Sequence, residues 1–326
     1  MIVQDYISYI KDIRRYSPRT CEIYSAVLKE YFEFSVEGEL SDDKALAALS
    51  PAHIRNYELH LLDDKKEDPR TVGLHLSVLS SLCKYLVRED LLQSNPVRSI
   101  PRPKTPKRLP VFYRDEEMKA YFSSTAFYCD STSLEEQKAA SGKMAIDIYE
   151  RRLRRMIISL LYGTGIRRSE LIALSCGALD FSRKTIRVRG KGDKVREIPL
   201  TDSLCEEILL YLQSVEAMTG LGPDAQRALL LTASGRPLYP VYVDRAVKRE
   251  LSEAPGFQGR KSPHALRHTL ATGLLEDGAD LSSIKELLGH SSLAATQVYT
   301  HSSVDQLKKV YKSAHPRAKK RGNHGD

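Results

Sequence analysis

An ordered series of six side chains in the second half of this sequence has the makings of a phosphodiester-cutting site: Arg167, Lys191, His264, Arg267, His290 and Tyr299. The tyrosine supplies a nucleophile, because a phenol attacks once one group takes its proton and another stabilises the electrophile. Arg167 lies in Gly163-Thr164-Gly165-Ile166-Arg167-Arg168-Ser169-Glu170-Leu171. The two glycines allow a tight turn, and a helix restarts after it, where free backbone N–H groups favour an anion. The planar fork of an arginine there grips two phosphate oxygens at once. The plainer reading of Arg167 is a surface ion pair with Glu170. Lys191 stands between two glycines at the tip of a predicted hairpin, from which it could protonate a leaving 5′-oxygen. Its plainer reading is a solvated tip. His264 and Arg267, three apart, share one face of a helix opened by Pro263. One can manage a proton while the other holds a charged oxygen. His290 follows Gly289, the predicted stop of a helix from Leu281 to Leu288. It could donate to a phosphate oxygen or simply favour the helix dipole. Tyr299 is one of 17 tyrosines, so packing is its plainer role.

Each plain reading is reasonable alone, but none explains the ordered set. A phosphodiester attacked by an oxygen passes through a pentavalent, extra-negative transition state. Two arginines and a histidine can stabilise that charge without magnesium. The sequence offers no carboxylate cluster of two-metal type, so neither a metal nor a cofactor is expected.

These residues need elements to hold them. Before residue 100 the apolar spacing predicts four amphipathic helices. Val3, Tyr6, Ile10 and Ile13 mark the first. Ser17-Pro18 starts the second, with its stripe through Tyr24, Val27, Leu28, Tyr31 and Phe34. Ser50-Pro51 starts the third, before Ile54, Tyr57 and Leu61. The fourth carries Val72, Leu76, Leu79, Leu82 and Leu86. Residues 101–110, with four prolines among lysines and arginines, predict an extended linker. Its basic residues suit a strap along phosphates. Beyond it, helices are predicted from Arg114 to Phe122 and from about Ser133 to Leu161, the second opened by a capping box at Ser133-Leu134-Glu135-Glu136 and broken at Tyr162-Gly163-Thr164-Gly165. Lys184 to Arg189 and Val195 to Pro199 alternate as two strands of a hairpin. Leu229 to Thr232 is a candidate third, edge strand. The remainder, from Leu204 and again from His264, reads as mostly helical. The expected division is 1–100, a helical domain; 101–110, the linker; 111–316, a mixed domain; and 317–326, a basic tail.

The chain has 326 residues, 41% of them hydrophobic, and a formal charge of +8 with a pI near 9.1. That size suits two domains with real cores, and the charge favours a polyanionic partner. The five cysteines are scattered without a CxxC pair, which argues against zinc and disulfides and for a reducing compartment. Neither a signal peptide nor an apolar run of spanning length is present. A cytoplasmic protein without a membrane partner is therefore expected.

In GTGIRRSEL, RGKGDKVREIPL, PHALRHTLATGLLEDGADLSSIKELLGHSSLAATQVYTH and QLKKVYKSAHPRA the chain resembles the tyrosine recombinases, or phage-type integrases. The last two stretches are most similar to the Xer branch. SPRT and RTVGLHLSVLSSLCKYLVRED resemble the family's core-binding domain, so the likeness covers nearly the whole chain. The resemblance implies a mainly α fold. An N-terminal four-helix, SAM-like core-binding domain would join an α+β catalytic domain with a small antiparallel sheet, and the two would clamp a duplex. It implies that Arg167, His264, Arg267 and His290 act on the phosphate, that Lys191 is the acid for the 5′-hydroxyl, and that Tyr299 forms a 3′-phosphotyrosyl link. Candidate DNA contacts are Arg19, Thr20, Arg70 and Lys84 in the helical domain and Arg102, Lys104 and Lys107 in the linker. The implied partners are double-stranded DNA and three further protomers on two duplexes, as a homotetramer or a heterotetramer with a paralogous recombinase. A DNA translocase is a further candidate, as an activator. Strand exchange would conserve bond energy in the phosphotyrosine, without ATP.

The reading is thus a site-specific recombinase of the Xer type, resolving chromosome or plasmid dimers. Integration of a mobile element is the alternative within the family. From another class, Gly278 to Gly289 also resembles a helix-turn-helix reader, as in a non-catalytic DNA-binding regulator. Such a regulator would not need Tyr299, Lys191 and both histidines together.

Overall fold

The computed structural model describes residues 2–104, 111–190, 193–254 and 256–289. The chain falls into two compact units, Met1–Arg108 and Leu109–Asp326.

The first unit is helical. It comprises α1 (Ile2–Ser8), extended by a π-helical turn, α2 (Pro18–Ser35), α3 (Asp42–Ala48), α4 (Pro51–Leu59), likewise extended, and α5 (Pro69–Arg88). Three of the starts use the same device. Proline fixes φ at the first helical residue, and the preceding side chain accepts from an otherwise unpaired N–H: Ser17 from Thr20, Ser50 from His53 and Asp68 from Arg70. The predicted stripes form most of the core, with Leu28, Ile54, Leu79, Leu82 and Leu86 fully covered, but Ile13 and Phe34, the last residues of the first two stripes, are exposed. Tyr31 and Tyr57 pack edge to face at 5.0 Å. Their hydroxyls are satisfied inside, by Ala48 O at 2.6 Å and by His75 Nδ1 at 2.9 Å. All four predicted helices are present. The additional α3 spans seven residues, too short to show a stripe. Its contribution is two buried alanines, Ala45 and Ala48, under a Ser41 cap.

The second unit contains α6 (Asp115–Ser124), α7 (Ser131–Ala139), α8 (Gly142–Thr164), α9 (Arg168–Ile172), β1 (Leu179–Asp180), β2 (Thr185–Arg189), β3 (Val195–Pro199), α10 (Asp202–Thr219), α11 (Pro240–Glu253), α12 (Pro263–Glu276) and α13 (Leu281–Leu288). The strands form one antiparallel sheet in sequence order, with Ile186 opposite Ile198 and Val188 opposite Arg196. The centre is α8, which packs against α7, α10, α11 and α12 and is buried continuously from Arg152 to Thr164. Three of those buried residues are arginines, each tied to a neighbouring helix. Arg152 donates to Ser133 and Ser214, Arg154 to Glu250, and Arg155 to Glu207. No described helix is long and apolar enough to cross a membrane.

Three local expectations are corrected. The helix predicted from Ser133 to Leu161 is two helices, interrupted at 140–141. Its N-cap is Asp130, which accepts from Thr132 N at 2.8 Å, because the Ser133 hydroxyl is buried against Arg152. The predicted break at Tyr162 comes later. Packing on every side carries α8 through Gly163 to Thr164, and Gly165 ends it in the left-handed conformation, φ 63°. The third strand is β1 rather than Leu229 to Thr232. There the backbone of Leu231 is engaged by tyrosines, its N–H by Tyr211 at 3.0 Å and its carbonyl by Tyr149 at 2.8 Å.

Gly165 places the first candidate arginine, and nothing larger fits. A Cβ there would lie 2.6 Å from Leu288 Cδ2 and 2.9 Å from Leu270 Cδ2, both on buried side chains. Left-handed strain and overpacking add, so Gly165→Ala should lower stability by about 2–4 kcal/mol in urea unfolding of the full chain. Wild-type stability would contradict this packing.

Candidate active site

At the turn between α8 and α9, Gly165 reverses the chain and Ile166, fully buried, anchors it. Arg167 follows in extended conformation, φ −75° and ψ 155°, as the N-cap of α9. Its backbone N–H donates to Glu170 Oε2 at 2.8 Å, and its guanidinium donates to Glu170 Oε1 at 2.7 Å and to Gly289 O at 2.9 Å. The side chain remains 33% exposed. The pair with Glu170 therefore exists, but Glu170 is buried and the pair is no ordinary surface contact.

Arg196 approaches the same carboxylate from β3. Its Nη2 and Nη1 reach Glu170 Oε2 and Oε1 at 2.8 and 3.2 Å, and Nε donates to Leu287 O at 3.0 Å. Burial opposes ionisation of Glu170. Hydrogen bonds from Arg196 and Arg167 outweigh it and hold the carboxyl at about 2.

Arg267 comes from α12, whose start is set by Pro263 and a Ser262 cap on Ala265 N–H. It is 5% exposed, and its guanidinium donates to Gly165 O and, at 2.6 Å, to Leu288 O. Burial, together with the positive charges of Arg167 and Arg196, pulls its pKa down to about 10. It remains charged at neutral pH, in a place where cations already repel. His264 stands one turn earlier, its ring 5.8 Å from that of His268. Burial, then the charges of His268, Arg267, Arg167 and Arg260, lower its pKa. That favours a neutral imidazole able to accept a proton.

Of the six predicted side chains, Arg167 and Arg267 converge on the adjacent carbonyls of Gly289 and Leu288, and the charges of both act on His264. Lys191, His290 and Tyr299 lie outside the described residues. The residues immediately before two of them, Gly190 and Gly289, are described. Two side chains of this cluster, Glu170 and Arg196, were missed as site residues by the sequence reading. A signal for Arg196 exists: it is in phase with Ile198, buried on β3, and with Leu200, buried just beyond it, and an inward-facing charge needs a partner. Among the described residues no group of three or more His, Cys, Asp or Glu could hold a metal.

In the first unit, Arg19, Arg70 and Lys84 are exposed, and Thr20 is half-buried. Arg19 pairs with Glu22 at 3.0 Å, and the Thr20 hydroxyl bonds that of Ser17 at 2.8 Å. Lys84 and Arg98 line a cavity of about 900 Å³. Arg102 and Lys104 are exposed. Lys107 lies outside the described residues.

Comparison with known proteins gives a consistent answer. A sequence model of the phage integrase family matches residues 139–306, and one of the phage integrase N-terminal SAM-like domain matches residues 2–93. The tyrosine recombinase XerC of Chlorobaculum parvum is 33% identical over 325 residues, covering 97% of this chain and 94% of the relative. That of Bacillus pumilus is 35% identical over 328 residues, covering 98% of each. Among solved structures, the Tn1549 transposon integrase in complex with circular intermediate DNA has a TM-score of 0.64 at 19% identity, over 94% of this chain and 98% of its own. The XerH recombinase bound to a palindromic difH substrate also has a TM-score of 0.64 at 19% identity, over 95% and 84%. At that identity the structures establish the shared fold alone.

The buried carboxylate yields a pH test. Glu170 ionises near 2 in the folded chain, against an ordinary value of 4.5. A depressed carboxyl stabilises the fold above its unfolded pKa, and that contribution is lost as pH falls through the window from about 4.5 to about 2. Between those limits the unfolding free energy of the wild type should fall more steeply than that of Glu170→Gln. Parallel curves from denaturant titrations would contradict the assignment.

Proposed function

This chain belongs to the phage integrase family of tyrosine recombinases, and from that premise we propose that it cuts and rejoins DNA through a 3′-phosphotyrosyl intermediate at the cluster around Glu170. The Tyr299 phenolic oxygen forms a bond to phosphorus as the bond from phosphorus to the 5′-oxygen breaks. His264, favoured as the neutral imidazole, takes the phenol proton, and Lys191 gives a proton to the departing 5′-oxygen. Arg167 and Arg267 hold the non-bridging oxygens, and His290 donates to one of them. Their positive charge is in place before the extra negative charge develops, which is how preorganised sites lower a barrier. A 5′-hydroxyl from the partner strand then attacks the phosphotyrosine. Its oxygen bonds to phosphorus and the tyrosine leaves as phenol, so one bond is exchanged for another and no nucleotide hydrolysis is required.

The observation that carries this reading is the convergence of Arg167 and Arg267, 100 residues apart in sequence, on two consecutive carbonyls immediately before His290. A non-catalytic regulator has no use for cations gathered in this way.

Within the family we favour the Xer-type role, resolution of chromosome or plasmid dimers. XerC proteins match this chain at 33–35% identity over nearly full length. The substrate is double-stranded DNA, contacted by the exposed basic residues of the first unit and the linker. Four strand cuts call for four protomers around two duplexes, of this chain alone or with a paralogous recombinase. Val304, Leu307, Val310 and Tyr311, at helical spacing in the sequence, are the candidate contact between protomers.

Tyr299→Phe tests the chemistry. On a nicked duplex that traps the covalent intermediate, the wild type should accumulate a protein–DNA adduct and the variant none. Affinity for DNA should change by less than about twofold, because phosphate contacts spread over many residues carry binding. An adduct formed by the Phe variant would rule out Tyr299 as nucleophile.

A further inference from the structure

Arg196 takes no part in the chemistry proposed above, yet its guanidinium lies where three chain segments meet. It grips both oxygens of Glu170 beside Arg167, and its Nε holds the carbonyl of Leu287 in the last turn of α13. Two glycines close around it. A Cβ at Gly289 would stand 3.2 Å from Arg196 Nη1 and 3.3 Å from Cδ and Cζ, and one at Gly190 would stand 3.4 Å from Nη1. The guanidinium thus crowds a Cβ at Gly289 and would lie in ordinary contact with one at Gly190. Gly190 immediately precedes Lys191, and Gly289 immediately precedes His290.

We propose that Arg196 is a positioning residue that locks the turn end of the β2–β3 hairpin, the α9 start and the end of α13 into one frame. Lys191, Arg167 and His290 then address the same phosphate. The inference rests on the recombinase chemistry proposed above. No phosphate contact is assigned to Arg196, whose Nε and both η-nitrogens are spent on Leu287 and Glu170. Burying a guanidinium at this inward-facing strand position is costly unless its nitrogens are paired. A fork that bonds a carboxylate twice and a carbonyl once is matched, and a lysine, a point charge on a flexible stem, cannot reproduce it. The consequence is mechanical. Loosening Arg196 frees the hairpin from α9 and α13, so the acid that follows Gly190 loses its register on the leaving oxygen.

The test uses the full chain and a nicked duplex selected for binding by the wild type, made in two forms. One has the ordinary phosphodiester. The other carries sulfur in place of the bridging 5′-oxygen, a leaving group that departs as thiolate and needs no proton. Arg196→Lys should bind the duplex like the wild type and melt as cooperatively. Its adduct formation on the ordinary duplex should fall about 100-fold, the cost of misplacing a catalytic group by about 1 Å. On the sulfur duplex at least about tenfold of that loss should return, since general-acid help is no longer required. Arg267→Lys, which alters the phosphate grip itself, should show no such return. Arg196→Gln, which keeps a donor toward Glu170, provides the same comparison should the lysine variant fold poorly. Equal losses on both duplexes, wild-type cutting by both variants, or losses that merely follow melting and binding would overturn the proposal. A wild type that forms no adduct on either duplex would instead refute the recombinase chemistry on which it rests.

Discussion

One buried carboxylate organises the catalytic unit. Glu170 lies among Arg167, Arg196 and Arg267, so three positive charges face one negative charge and two remain unbalanced. The carbonyls that hold these arginines come from helix ends. Gly165 closes α8, and Leu287, Leu288 and Gly289 close α13. The last carbonyls of a helix have no partner within it and carry the negative end of its dipole. Two helix C-termini and one carboxylate thus keep guanidinium groups together that would otherwise repel. Burial first, and then the residual repulsion from Arg167 and Arg196, depress the pKa of Arg267. A bound phosphodiester would relieve that repulsion, and the more negative transition state would relieve it further.

This arrangement explains why glycines occur where they do. Gly165 and Gly289 both adopt φ near 64°, and both are hemmed in by side chains of the site: Leu288 and Leu270 at the first, Arg196 at the second. The turns that release the two helices are also the surfaces on which the arginines rest. The hydrophobic core under α8 and α12 supports them, with Ile166 and Leu270 fully buried.

Much of the fold was legible because its signals are local. Serine followed by proline marked helix starts, and apolar stripes gave four of the five helices of the first unit. β-branched alternation gave the hairpin. The parts that were not legible depend on tertiary partners. Ser133 has the form of a cap but serves the buried Arg152. Gly163 suggests a break, yet surrounding packing keeps it helical. Strand β1 has two residues and no pattern of its own. At the site, Arg167 and Arg267 stood out through a glycine turn and a His-x-x-Arg spacing. Glu170 and Arg196 did not, because a charge in sequence reads as exposed until the fold shows what covers it. The alternation of β3 carried that information for Arg196, since the residues in phase with it are buried.

The proposed chemistry requires that two forked cations, held by Glu170 and by helix ends, grip the scissile phosphate. The most direct measurement is covalent adduct formation by Arg167→Lys and Arg267→Lys on a nicked duplex at saturating protein. Each lysine preserves the charge but not the two-pronged geometry. The account predicts that both variants bind DNA and that both lose adduct formation by at least about 100-fold, as expected when a preorganised donor is removed. Cutting at near wild-type rates by either variant would contradict it.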